Sequence, residues 1–240
     1  MTDTRLLDDV RAAIASEHRL GPGRPTIEVE ERPDGTLALT GKVDRVAKKR
    51  LAAAHAARLA GAGRVVDEVR VTPAVTRDDA KIRDAAMRTF EQEPAFNRLT
   101  MGLAGPNDYA LITDPPDSLG RIDIGVKDGM VTLDGRVPGL EYKRLAGVLA
   151  WWVPGSTAVA DRLRVEPPED DTEAGLTDAI RAALEKDPFI DAGQIRVVNR
   201  DRRVLLEGWT KTETEREMAE ADAWYVFGVE DVVNRIETGY

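Results

Sequence analysis

Few side chains in this sequence are of the types that carry catalytic or metal chemistry. There is no cysteine, which excludes disulfides, thiolate metal sites and cysteine nucleophiles. The two histidines, His18 and His55, have no partners at metal-ligand spacing, and no nucleophile–base pair is visible. The acidic run at 169–171 lacks the alternating spacing of a calcium loop. The sequence therefore predicts no enzyme activity, no cofactor and no metal-binding side-chain cluster.

Composition and charge exclude further classes. The chain has 240 residues, 42% of them hydrophobic and 32% charged, with a net charge of −9. No apolar run approaches the ~18 residues of a membrane span, and the acidic balance argues against nucleic-acid binding. Residues 1–5 show neither the basic nor the apolar region of a secretory signal. We expect a cytoplasmic location, with a peripheral position at the inner membrane left open.

The elements that would position any site come from a pattern that occurs three times. A glycine ends a strand-like segment, and a second glycine follows 20 residues later, with alanines at fixed positions between them. The first glycines are Gly41, Gly135 and Gly208, and the second are Gly61, Gly155 and Gly228. Such a gap-free match indicates a triplicated unit, with repeats at residues 1–73, 76–166 and 172–240.

Each copy has the same order of secondary structure. Alternating apolar residues before the first glycine predict a strand, and an Asp-Gly pair such as Asp34-Gly35 predicts a hairpin turn before that strand. Helical periodicity follows the first glycine, and a valine-rich strand follows the second. With a helix at the amino end of each copy, the order is α-β-β-α-β, and the last two strands are expected to be parallel.

The middle repeat carries extra residues near 96–117. The alternation of Leu99, Met101 and Leu103, followed by a Gly-Pro-Asn-Asp turn and Tyr109, predicts an added hairpin. A long insertion is often functional, so Met101, Leu103 and Tyr109 are candidate contact residues. The alternative is a surface hairpin that covers the core or fills a contact between repeats.

Aromatic residues mark the end of the second helix in two repeats. Trp151 and Trp224 share one position, and Trp152 and Tyr225 share the next. The helical period turns Trp151 and Trp224 away from the side that faces the sheet. They could contact a protein partner or a lipid headgroup region, or they could pack between repeats.

Repeat 1 has a basic cluster at the start of its second helix. The cluster consists of Arg45, Lys48, Lys49 and Arg50. Cations at such a position could contact anionic lipid, since each adds about 1 kcal/mol near a charged membrane surface. The alternative is an ordinary solvated helix face.

The pattern resembles the bacterial osmotic-induction and nodulation (BON) domain. Repeat 3 carries the fullest match, through its Asp-Pro-Phe-Ile at 187–190 and its Gly-Val-Glu-Asp-Val-Val-Asn at 228–234, and repeat 2 matches through 122–137. The resemblance implies an α+β fold in which each unit has a small three-stranded mixed sheet with two helices packed on one face. It also implies a non-enzymatic binding module that is commonly tied to phospholipid surfaces.

Two functional hypotheses follow. In the first, the three units form a non-enzymatic scaffold that recruits a partner protein or an anionic phospholipid surface. In the second, the chain is a cytoplasmic sensor of potassium or a small ligand, since the resemblance extends to relatives that bind potassium. Main-chain carbonyls, which would hold such an ion, leave no trace in the sequence.

Overall fold

The computed structural model describes residues 4–20, 26–105 and 108–239. The backbone divides between residues 72 and 73 into two compact units. Repeat 1 forms the first unit, and repeats 2 and 3 together form the second. Each unit is considered by itself.

Repeat 1 has two helices and a mixed sheet. Its elements are α1 (Thr4–Ser16), β1 (Thr26–Glu31), β2 (Leu37–Val43), α2 (Val46–Ala60), β3 (Val65–Asp67) and β4 (Arg70–Val71). Strand β2 pairs antiparallel with β1 and parallel with both β3 and β4. The last two are pieces of the one valine-rich strand that the sequence predicts, interrupted at residues 68–69.

Repeat 2 has a sheet of five strands. Its elements are α3 (Asp79–Glu91), β5 (Leu99–Ala104), β6 (Tyr109–Thr113), β7 (Gly120–Lys127), β8 (Met130–Val137), α4 (Leu140–Trp152) and β9 (Ala158–Val165). The strand order is β6-β5-β7-β8-β9. The predicted hairpin of the insertion is confirmed as β5 and β6, and β5 joins the edge of the sheet parallel to β7.

Repeat 3 has three strands and two helices, as expected. Its elements are α5 (Glu173–Lys186), β10 (Ile195–Arg200), β11 (Arg203–Thr210), α6 (Glu213–Tyr225) and β12 (Asp231–Thr238). Strand β11 lies between antiparallel β10 and parallel β12. The α+β order of the three repeats is therefore confirmed.

The first glycine of each repeat occupies an equivalent place. Gly41, Gly135 and Gly208 have φ angles of 127°, 131° and 136°, and each lies opposite an isoleucine of the preceding strand. A Cβ atom on Gly135 would lie 2.2 Å from the carbonyl oxygen of Arg121, and one on Gly208 would lie 1.9 Å from that of Gln194. Both the backbone angle and the close approach thus require glycine.

The core of repeat 2 lies between its sheet and both helices. Ile82, Ala86 and Phe90 of α3 and Ala146 and Ala150 of α4 are fully buried there. They meet the inward residues of the central strands, which are Ile122, Ile124, Val131 and Leu133. Inward residues alternate along each strand, as expected of a sheet that is covered on one face.

Repeats 2 and 3 bury polar as well as apolar contacts against each other. Arg144 of α4 is buried; its Nε donates to the carbonyl oxygen of Phe227 at 3.1 Å, and its guanidinium pairs with Asp171. Asp171 also pairs with Arg202 at 2.9 Å. Repeats 2 and 3 therefore pack together within the second compact unit.

Candidate functional site

The aromatic residues at the ends of α4 and α6 lie between repeats 2 and 3. Trp151 is 8% exposed and Trp224 is 1% exposed. The ring of Trp151 stacks on that of Tyr225, with centroids 5.4 Å apart and planes 12° apart. Trp152 Nε1 donates to Asp222 Oδ1 at 2.9 Å. Of the two alternatives, packing between repeats is the one that the structure favours for Trp151 and Trp224, which corrects the expectation that they are exposed, whereas Trp152 and Tyr225 are half-buried.

Asp222 is the most perturbed titratable group at this contact. It is 2% exposed. Burial raises the pKa of its carboxyl from the ordinary 3.8 to about 8; the hydrogen bond from Trp152 opposes the rise, and the nearby Asp187 adds to it. Burial, followed by the Asp222 charge, raises the pKa of Tyr225 to about 12. Asp222 is thus held protonated at neutral pH in a contact from which water is largely excluded.

The basic cluster of repeat 1 is largely neutralised. Lys49 is buried, and its Nζ contacts Asp67 Oδ1 and the carbonyl oxygen of Val69, both at 2.7 Å. Lys48 is half-buried and pairs with Asp44 at 2.9 Å. Arg45 is exposed and Arg50 is half-buried. Because Lys49 points into the repeat, the expectation of a four-residue cationic surface for anionic lipid is corrected.

The Lys49–Asp67 pair has a counterpart in repeat 2. Lys143 Nζ lies 3.0 Å from Asp161 Oδ1 and 2.6 Å from the carbonyl oxygen of Leu163, and it sits 4.6 Å from the ring centre of Phe227. Repeat 3 has Arg216 and Asn234 at these positions. There Asn234 donates to the Arg216 carbonyl oxygen, and the Arg216 side chain pairs with Glu213. Lys49, Lys143 and Arg216 lie at the same spacing from the first glycine of their repeats. That shared spacing could have indicated the buried lysine position in the sequence.

The insertion residues divide between core and surface. Met101 and Leu103 are buried in the core of repeat 2, as in the interpretation of a hairpin that covers the core. Tyr109 is about half exposed. Its hydroxyl donates to Asp123 Oδ1 at 2.8 Å and accepts from Arg121, and its ring lies over Gly102. Only Tyr109 of the three is open to a contact.

Sequence reasoning missed an exposed apolar surface on repeat 3. We call it the aromatic surface, and it consists of Phe189, Ile190 and Trp209. Phe189 is 71% exposed and Trp209 is 43% exposed, and both line a hollow of about 190 Å³. The loop is held in place because Asp187 Oδ1 accepts a hydrogen bond from the Phe189 amide at 2.8 Å.

The aromatic surface is specific to repeat 3. The position of Trp209, directly after the first glycine, is held by Lys42 in repeat 1 and by Arg136 in repeat 2. That comparison is the signal that could have singled out Trp209 in the sequence. Since the strand geometry is the same in all three repeats, the fold does not require an aromatic residue there.

Metal-binding clusters and membrane-spanning helices are both absent from residues 4–20, 26–105 and 108–239. Among these residues there is no group of three or more histidine and acidic side chains placed to hold a metal ion. Within the same ranges, no helix has the length and apolar character to cross a membrane.

Three repeats of one helix-and-sheet pattern define this chain as a tandem array of small α+β modules. The family model described as BON domain matches residues 2–73, 110–167 and 172–240, and the chain therefore belongs to the BON domain family. The match to repeat 2 begins inside the insertion. BON domains serve as binding modules, and the family is associated with phospholipid binding.

Similar proteins were found by sequence and by structure. The chain is similar to osmotically-inducible protein Y of Escherichia coli strain K12, with 30% identity over 130 residues; the match covers 51% of this chain and 65% of that protein. The C-terminal domain of CdsD, a structural protein of the type III secretion system of Chlamydia trachomatis, aligns over 100% of both chains at 14% identity and a TM-score of 0.25. At that TM-score the likeness supports no conclusion.

Proposed function

We propose that this chain is a non-enzymatic binding protein that attaches to a phospholipid surface through the aromatic surface of repeat 3. The observation that carries the proposal is the exposure of Phe189 and Trp209 side by side. Large aromatic side chains are costly to leave in water, and tryptophan is favoured at the headgroup level of a bilayer. The family's association with phospholipid binding supports the same assignment.

The charges around the aromatic surface favour insertion of apolar side chains over attraction to anionic lipid. Its hollow is lined by one cation, Lys211, and two anions, Asp191 and Glu215. The carboxylate of Glu215 accepts from the Lys211 amide, and that of Asp191 accepts from the Gly193 amide. Because the net charge of the chain is −9, anionic headgroups add little electrostatic attraction at the aromatic surface. Attachment should therefore depend weakly on salt.

Replacing both Phe189 and Trp209 by serine should release the chain from vesicles. Transfer of these two side chains out of water is worth about 2–3 kcal/mol even when incomplete, so partitioning should fall at least ~10-fold. The measurement is co-sedimentation with vesicles of phosphatidylcholine, alone and with added phosphatidylglycerol. We expect similar binding of the unmodified chain to both.

The matched control is Leu111→Ser, because Leu111 is 54% exposed but lies on β6 of repeat 2. It should leave partitioning unchanged. Equal partitioning of the double variant and the unmodified chain would contradict attachment through this surface. Absence of binding to either vesicle would overturn the lipid assignment and leave a protein partner as the occupant of the aromatic surface.

A further inference from the structure

The insertion moves one edge of the repeat 2 sheet from β7 to β6. Strand β7 is the counterpart of β1 and β10, which form edges of the sheets of repeats 1 and 3. It carries Arg121, Asp123 and Lys127, and charges on an edge strand discourage pairing with another chain. The inserted hairpin therefore covers an edge that its charges already protect, and it presents a new one.

Of the edge strands that the structure describes, β6 alone has no charged residue. Its sequence is Tyr-Ala-Leu-Ile-Thr. Tyr109 is 48% exposed and Leu111 is 54% exposed. At least one acidic or basic residue occurs in each of the other edge strands, which are β1, β3, β4, β9, β10 and β12. An uncharged and exposed edge is open to pairing with a further strand.

The main chain of β6 has donors and acceptors that point away from β5. The Gly105 amide donates to the carbonyl oxygen of Asp108 at 2.8 Å, and the antiparallel ladder between β5 and β6 continues from there without a shift as far as Leu111. Because hydrogen-bonded pairs alternate along such a ladder, the N–H and C=O groups of Ala110 face β5. The same groups of Tyr109 and Leu111 are directed outward, where a new strand would meet them.

A second copy of β6 has the chemistry to pair with this edge. In an antiparallel pair with its two-fold axis at Ala110, Tyr109 of each copy lies opposite Leu111 of the other, and their outward N–H and C=O groups bond to each other. The pairing covers part of the apolar surface of both side chains, and an uncharged strand does not repel its own copy. The acidic residues beside β6 fix the register, because an axis at Leu111 would instead bring Asp108 opposite Asp114.

We propose that two copies of this chain associate through antiparallel pairing of their β6 strands, with the two-fold axis at Ala110, so that their repeat 2 sheets become continuous. The contact is separate from the aromatic surface and goes beyond the proposed attachment to a phospholipid surface. A strand of five residues is a small interface, so the association is weak, with dimers forming at about 0.1–1 mM. Vesicle binding at low micromolar concentration is therefore measured on single copies, and Leu111→Ser remains a valid control there.

Sedimentation velocity of the full chain over rising concentration tests the proposal. The mass should rise from 26.3 kDa towards twice that value, and amide hydrogen exchange should slow at Tyr109 and Leu111. Leu111→Lys should weaken the association at least ~5-fold, since it removes two cross-strand pairs and places a charge on the edge. Ala174→Lys adds the same charge at an exposed position of α5 and should leave the association unchanged. A mass of 26.3 kDa at every concentration, or equal association of the two lysine variants, would overturn the proposal.

The register can be measured with one introduced cysteine, because the chain has none of its own. With the axis at Ala110, the two Ala110 residues form a non-hydrogen-bonded pair whose Cα atoms lie about 4.5 Å apart, within the range that a disulfide spans. On mild oxidation, Ala110→Cys should therefore cross-link into dimers at least ~10-fold faster than the exposed control Ala174→Cys. Equal rates would overturn pairing through β6. Adding Phe189→Ser and Trp209→Ser to Ala110→Cys should not change its rate, so the two proposals fail independently.

Discussion

Replacing Lys143 by methionine should lower the free energy of unfolding of the second compact unit by about 3–5 kcal/mol. The lysine is buried, and its ammonium compensates the carboxylate of Asp161 and the carbonyl oxygen of Leu163. Methionine fills similar space but removes the ammonium from its buried pair with Asp161, and losing one partner of a buried pair is costly. The contact of Lys143 with the ring of Phe227 is lost as well.

Tryptophan fluorescence in urea measures this effect in the full chain. All four tryptophans lie in residues 73–240, so the signal reports the second compact unit and not repeat 1. The midpoint should shift to lower urea with an unchanged slope.

The repeat supplies a matched control. Arg216 holds the same position in repeat 3, but its side chain makes a partly exposed pair with Glu213 within α6. Arg216→Met should therefore cost less than about 1 kcal/mol. The double variant Lys143→Met with Asp161→Asn should recover much of the loss, because asparagine carries no charge and can still accept the amide hydrogen of Leu163, as Asn234 accepts that of Ile236 in repeat 3. Equal losses at 143 and 216 would contradict the account of a buried pair.

The strands, helices and turn glycines of the repeats could be predicted because each depends on residues that are close together in the sequence. Gly135 and Gly208 are required by a positive φ and by a carbonyl oxygen that a Cβ would strike. Asp67, Asp161 and Asn234 share one position in the repeats, and the side-chain oxygen of each accepts the amide hydrogen two residues later. What the sequence did not reveal was the lysine opposite Asp67 and Asp161.

The burial of Lys49 could not be predicted while the basic cluster at 45–50 was treated as one exposed surface. Lys48 and Lys49 are adjacent, but successive helical residues differ by about 100° in direction, so Lys48 remains near solvent while Lys49 enters the repeat. The helical period correctly predicts that Trp151 faces away from the sheet, but it does not predict which residue covers the Trp151 ring. The ring is covered by Tyr225, which is 74 residues away in the sequence, and no local sequence pattern predicts a contact at that distance.

The aromatic surface was missed for a related reason. Trp209 alternates correctly with its strand neighbours, so its exposure follows from its place on the outward face of the central strand β11 and not from its type. The way in which repeats 2 and 3 meet depends on tertiary contacts such as that of Arg144 with Phe227, which are 83 residues apart in the sequence. Contacts between elements that are far apart in the sequence are therefore the features that could not be predicted from it.

Replacing Asp222 by asparagine should raise the free energy of unfolding at neutral and mildly alkaline pH. Asparagine keeps the shape of the protonated acid and can still accept the hydrogen bond from Trp152, but it has no proton to lose. The aspartic acid has a pKa of about 8 in the folded chain against an ordinary 3.8. At pH 7 unfolding therefore releases a proton, and the gain from the replacement should be on the order of 3 kcal/mol.

The pH dependence gives the sharper test, and its sign follows from the raised pKa. Between about pH 4 and pH 8 the folded chain holds a proton at Asp222 that the unfolded chain releases, so this contribution to stability is complete below pH 4 and is lost as the pH rises through 8. The unmodified chain should lose up to ~1.4 kcal/mol per pH unit from this group.

Two titratable side chains face Asp222, and burial is the main cause of its raised pKa. Asp187 raises its pKa by its own negative charge, and Tyr225, with a pKa of about 12, stays neutral throughout the window. The Asp222 variant should therefore show a flatter profile from pH 5 to pH 8, while the exposed Asp178→Asn control should run parallel to the unmodified chain. Parallel profiles for all three proteins would mean that Asp222 is ionised in the folded chain, and that repeats 2 and 3 tolerate a buried charge where they meet.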